Sequence, residues 1–194
     1  MPQKYTAIIF HFLLILCSCD MQPKANNGNT NMYFDMHTVV MQQKMYLTQH
    51  HIAVEKYSKL NDNTSHNLIN NPDWNTEMLF FDKIDINKPI YKDSYKAFAY
   101  ENDTFVVNYY SHRKGDKLPV TYIKNYFTHS NKLYKSMAML TMNNYIFSTN
   151  KYLEMIFDTS AGELKMIKYK IKGESGFIFM PKDVFEIAGT PLYR

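Results

Sequence analysis

The chain has 194 residues, a formal net charge of +4, 45% hydrophobic and 15% aromatic residues, and two cysteines. Such a chain can bury one sizeable core and is too apolar to be disordered, while its mild positive charge is no nucleic-acid footprint. Its cysteines, Cys17 and Cys19, leave nothing to staple the remainder, so the fold must be stabilised by its core.

Lys4 precedes an apolar run over residues 7–16 that stops at Leu16-Cys17-Ser18-Cys19. A charged start, a short apolar stretch and a small residue before the cut predict a secretory signal. The run contains His11 and falls well short of the about 20 apolar residues that a membrane span needs. Leu16-x-Ser18-Cys19 resembles the lipobox of bacterial lipoproteins. The resemblance implies cleavage before Cys19 and a thioether diacylglycerol plus an amide-linked acyl chain on that residue. Two or more such chains anchor stably where one holds only marginally. A plain cleaved signal would instead leave a soluble secreted protein. Residues 1–18 are thus predicted as a lipoprotein signal peptide, 19–31 as a lipid-anchored flexible tether and 32–194 as a single domain. The tether, polar and without apolar periodicity, has an r.m.s. reach of about 20 Å.

From Met32 to about Leu60 apolar residues fall in columns seven apart, Val39/Tyr46/Ala53/Leu60 and Val40/Leu47/Val54. This spacing predicts one long amphipathic helix, roughly 43 Å at 1.5 Å per residue, with Asn31 as cap and Asp35 at its positive end. A second, shorter helix is predicted from Asn71-Pro72-Asp73, with Asn71 capping and Trp74, Met78 and Phe81 on its buried face, ending before Pro89.

After Tyr91 short segments rich in Tyr, Phe, Ile and Val alternate with Asn, Asp, Ser and Gly. They predict strands at 95–100, 104–110, 118–127, 132–142, 145–158, 164–172, 177–180 and 184–188. Connections this short impose antiparallel pairing, because a parallel crossover needs about a dozen residues. Ile167, Tyr169 and Ile171 alternate with Lys168, Lys170 and Lys172, so one sheet face is predicted wet and the other packed on the long helix. The expected class is α+β, with two N-terminal helices, one long, packed on a curved antiparallel β-meander.

Candidate chemistry is sparse. His37 and His51, about 21 Å apart on a helix, could not share a metal. His51 and Glu55 could supply two ligands where a site needs three or four, and His50 reads as a core-edge imidazole. Asp82 and Asp85 share a predicted helix face, but Asp85-Ile86-Asn87-Lys88-Pro89 puts Pro where a calcium loop needs a ligand. Gly173-Glu174-Ser175-Gly176 lacks the second glycine of a nucleophile elbow and reads as a turn. No catalytic residue, metal ligand or cofactor is assigned, and the expected protein is not an enzyme. The Lys168/Lys170/Lys172 stripe could meet an anionic glycan or phosphate groups, and the tyrosines could stack on sugars. Met36, Met41 and Met45 on the long helix would suit a loose apolar cavity.

Trp74-x-x-Glu77 with Phe81, followed by Asp85-Ile86-Asn87-Lys88-Pro89, resembles a group of uncharacterised Bacteroidota-type lipoproteins. Asn131-x-Leu133-Tyr134 with Ser136, Tyr169-x-Ile171-x-Gly173 and Phe185-x-Ile187-x-Gly189 extend the likeness. The resemblance implies an envelope lipoprotein with a lipidated Cys, a long helix and a run of strands, and no particular reaction. Trp74 and Pro89 then read as the bracket that holds the second helix to the sheet. The expected function is a lipid-anchored envelope binding module, held to a membrane through Cys19 and meeting an envelope protein or a glycan, without nucleic acid. The alternative is a carrier or sensor of a lipid-like apolar ligand held between the long helix and the sheet. Which membrane and which side carry the anchor is not fixed by the sequence.

Overall fold

The computed structural model describes residues 32–113, 117–160 and 162–193. The predicted signal peptide, Cys19, the tether and Asn31 lie outside the described residues. Helix α1 spans Met36–Gln49, and Asp35 caps it, its carboxylate accepting from the Thr38 amide and hydroxyl. It runs about 21 Å, not the expected 43 Å. The helix is stopped by His50 and His51, the latter with φ 48°, and the Ile52 amide closes the end on the Leu47 carbonyl. Residues 53–60, predicted helical, form strand β1 (Ala53–Leu60) and fold back through Asn61-Asp62 into β2 (Asn63–Ile69). Asn61 takes φ 52°, a conformation that Asn tolerates. Its side chain and amide bind Asp183 and Val184, fixing the turn to the last strand.

The second helix is a single turn, α2 (Trp74–Glu77), capped by Asp73 instead of Asn71. Two 3₁₀ turns follow, Phe81–Ile84 and Pro89–Tyr91. Trp74, Met78 and Phe81 are all buried, as their spacing implied.

Strands β3 (Tyr95–Glu101), β4 (Val106–His112), β5 (Val120–Phe127), β6 (Leu133–Asn143), β7 (Phe147–Asp158), β8 (Lys165–Phe177) and β9 (Asp183–Leu192) pair antiparallel with their sequence neighbours. Strand β9 then pairs with β1, giving one nine-stranded sheet in the order β2-β1-β9-β8-β7-β6-β5-β4-β3. The fold is therefore dominated by antiparallel sheet, with helices a minor part. The predicted turn at Gly173–Gly176 is continuous strand, and the strand expected at 177–180 is the turn after it. At Gly173 a Cβ would sit 2.0 Å from the Asn150 carbonyl oxygen. The glycine thus marks a close backbone approach between strands and not a bend.

One sheet face is covered. Cross-strand rows such as Tyr110, Ile123, Ala138, Leu153 and Ile171 face Met36, Val39, Val40 and Leu47 of α1 in a single core. A β-bulge between β7 and β8 places Met166 beside Tyr169 on the inner face and leaves Ile167 exposed. The expected alternation thus holds from Lys168 onward and slips at Ile167. Gln43 seals the bulge, donating to the Leu164 carbonyl and accepting from the Met166 amide, both at 2.7 Å.

Candidate functional site

The residues that carry the lipoprotein resemblance are structural ones. Trp74 donates to the Ile52 carbonyl and meets Tyr169 edge-on, as does Phe81. The Tyr169 hydroxyl donates to Glu77 at 2.6 Å, and Lys56 binds the other carboxylate oxygen at 2.7 Å. Burial, and then the Glu77 contact, hold the Tyr169 hydroxyl far above the ordinary tyrosine range. The ring lies over Gly189, where a Cβ would fall 2.2 Å from it. Asn87 clamps both backbone polar groups of Tyr33, and Asp85 caps the Asn87 amide. These groups fix the helical segment to the sheet.

The histidines stay apart. His37 and His50 are exposed, and His50 stacks on Tyr46 instead of lining the core. His51 and Glu55 share no helix, and Glu55 pairs with His66 across the β1–β2 hairpin. His129 binds Glu101, and His112 binds the Arg113 carbonyl. Asp82 holds Lys44, so the two predicted carboxylates are each engaged. Among the described residues no three His, Cys, Asp or Glu side chains converge as a metal site. Met36, the first residue of α1, is buried, whereas Met41 and Met45 are exposed.

The other sheet face is bare, and its register assembles one surface. Tyr109, Lys124, Met137, Glu154 and Lys170 stand in one cross-strand row. Tyr122, Met139, Tyr152, Lys172 and Glu186 make the next, and Tyr126, Lys135, Ile156 and Lys168 a third. The Lys124 ammonium lies 5.2 Å from the Tyr109 ring centre and 5.8 Å from that of Tyr122. Lys135 covers Tyr126 at 4.7 Å and Lys172 covers Tyr152 at 5.9 Å. Tyr122 is the middle of this group. Its hydroxyl is held above the ordinary range by burial first, then by the phenols of Tyr152, Tyr109 and Tyr126. Cation and aromatic face are thus presented together, an arrangement that stabilises flat apolar and anionic groups alike.

Two open depressions of about 500 and 290 Å³ cut this face and share Glu186. The larger is lined by Tyr152, Lys172, Asn150, Glu174 and Lys59. It offers one aromatic wall with donors and acceptors around it, a set able to bind a sugar ring by stacking and hydrogen bonds. The Lys170–Glu186 and Lys182–Glu174 pairs, both 2.6 Å, hold part of the charge in place. The sequence revealed Lys168, Lys170 and Lys172, but not their registration with Tyr109, Tyr122, Tyr126 and Tyr152. The same period of two, followed through Val120–Phe127, puts Tyr122, Lys124 and Tyr126 on the wet face.

On the covered face, beyond α1, lies a further open trough of about 550 Å³ lined by Leu60, Phe80, Lys151, Phe185 and Ile187. Lys151 lies 5.3 Å from the Phe80 ring centre and 5.8 Å from that of Phe185. Burial, and then Lys83, push its ammonium below the ordinary lysine range. This trough lies to the side of α1, whose Met36, Val39, Val40 and Leu47 are buried in the core.

No described helix is long and apolar enough to cross a membrane. Comparison with protein-family models, curated proteins and solved structures finds no match for the chain in any of the three.

Proposed function

We propose that the protein is a lipid-anchored module of the bacterial cell envelope, held through Cys19, whose bare sheet face binds an acidic glycan. The reading assigns it no catalytic group, metal or cofactor. It takes the domain as α+β, with a sheet curved about its short helices. One observation carries it: Tyr109, Tyr122, Tyr126 and Tyr152 share a face and a register with Lys124, Lys135, Lys168, Lys170 and Lys172. Structural tyrosines in this chain sit on the covered face, with their hydroxyls spent on carbonyls and Glu77. Those on the bare face are left to meet something else. Aromatic faces stack on sugar rings, and ammonium groups beside them select carboxylated or sulfated sugars over neutral ones.

The test is retention on immobilised polygalacturonate and dextran sulfate against neutral dextran. Binding to the acidic polymers that falls with salt and is lost in Lys124→Glu/Lys172→Glu supports the reading. Equal retention of that variant and the parent would end it. The anchor is tested separately, since Cys19→Ser should abolish incorporation of acyl label.

The trough beside Phe80 favours a second reading, in which a lipid-like ligand lies along Leu60, Phe185 and Ile187 with its acidic head near Lys151. Native mass spectrometry of protein exported from a bacterial host would then show an added mass of a few hundred daltons, lost on unfolding. A bare mass after loading with fatty acid would exclude it.

A further inference from the structure

Strands β6, β7 and β8 are the longest, with 11, 12 and 13 residues against 7 or 8 in β3, β4 and β5. They carry their connecting turns past the neighbouring strands at one end of the sheet. The turn after β6 exposes Tyr145 at 97% and Ile146, and the turn after β8 exposes Ile178, Phe179 at 91% and Met180. The Ile178 amide donates to the Ile146 carbonyl at 3.0 Å, so the two turns form one tip. We propose that this tip docks the domain on a lipid bilayer. The proposal rests on the membrane location of the reading above but not on the glycan.

Four observations favour a bilayer over a protein partner. The tip projects, and its two largest rings are almost wholly exposed, so it offers a wedge and not a groove that could receive a partner's side chain. Several of its backbone amides are already paired: the Asn144 carboxamide accepts from the Ile146 and Phe147 amides, Asn144 N–H donates to Phe147, and Met180 N–H donates to Phe177. Turns with their polar groups paired can leave water at small cost, the condition for entering a membrane interface. Residues 142–147 and 177–181 contain no acidic side chain. Finally, the described chain begins at Met32, and Tyr33 is pinned to Tyr95 at the start of β3, the sheet end from which the tip projects.

Residues 31–194 form one compact unit, so the test uses the chain from Asp20 onward, without the acyl group. It is mixed with phosphatidylcholine vesicles, with and without phosphatidylglycerol, at low and high salt. The native Trp74 is buried, so Phe179→Trp gives a reporter at the tip. The expected result is pelleting with both kinds of vesicle, kept in high salt, and a blue shift of the reporter that brominated lipid quenches. Tyr145→Ser/Phe179→Ser should lower the partition about tenfold or more, with an unchanged urea midpoint. No blue shift with either vesicle overturns the proposal, as does pelleting that needs phosphatidylglycerol and vanishes in salt, which would mean lysine contacts alone. Because no acyl chain is present, failure here leaves the Cys19 anchor standing, and acyl label that persists in Cys19→Ser, which would end the anchor at Cys19, leaves the tip standing.

Discussion

The two faces of the sheet use the same residue, tyrosine, in opposite ways. On the covered face Tyr33, Tyr95 and Tyr169 are buried and donate to the Tyr95 carbonyl, the Val120 carbonyl and Glu77 respectively. On the bare face Tyr109 and Tyr122 touch at a tilt, and Tyr109, Tyr122, Tyr126 and Tyr152 each lie under a lysine. A buried hydroxyl must be paired because leaving it unmet costs its full desolvation. A ring under a solvated ammonium is held in place but stays available. The difference teaches that stability resides in the first set, while the proposed function places recognition in the second, and substitutions should separate them.

The largest effect is expected where the helical segment locks onto the sheet. Trp74→Ala removes a fully buried ring and should cost about 3–5 kcal/mol, read as a lower urea midpoint. Gly189→Ala pushes a methyl against the Tyr169 ring and should cost about 1–3 kcal/mol. A neutral outcome at Gly189 would mean the ring is not held where Glu77 places it.

A pH experiment sharpens the same contrast. Burial raises the hydroxyls of Tyr169, Tyr110 and Tyr193 above their ordinary value of 10.0. Above that value the unfolded chain loses these protons while the folded chain keeps them. Their contribution is therefore full below pH 10.0 and is lost as the pH climbs above it. Tyr169→Phe should flatten the alkaline fall in a series of urea midpoints, and an unchanged slope would contradict the assignment. The smallest effect on stability is expected on the bare face, where Tyr122→Ala should cost about 1 kcal/mol while weakening retention on acidic glycan.

Much of the sheet was legible in the sequence because strands β3 to β7 are bounded by Asn, Asp and Ser turns and hold a period of two. The β1–β2 hairpin was not, since Ala53 and Leu60 continue the seven-residue columns of α1 and so mimic another two turns of helix. The stop at His50-His51 depends on a positive φ at His51, uncommon for any residue but glycine even though His is among those that take it more readily. Strand β2, Asn63–Ile69, is an exposed edge of mostly polar residues, held by its ladder to β1 and not by intrinsic preference. The bulge at Ile167 was hidden for a similar reason, as it needs Gln43 from a distant helix to satisfy the displaced backbone. For the candidate site, the lysine stripe was visible in one strand. Its tyrosine partners come from β4, β5 and β7, and only the register brings them together.

The most direct test compares retention of the parent and of Lys124→Glu/Lys172→Glu on polygalacturonate at low salt, with their urea midpoints measured alongside. The expected result is loss of retention in the variant with the midpoint unchanged, which separates the bare face from the core. Retention that survives the two substitutions, or that falls only together with the midpoint, would contradict the assignment of recognition to this face.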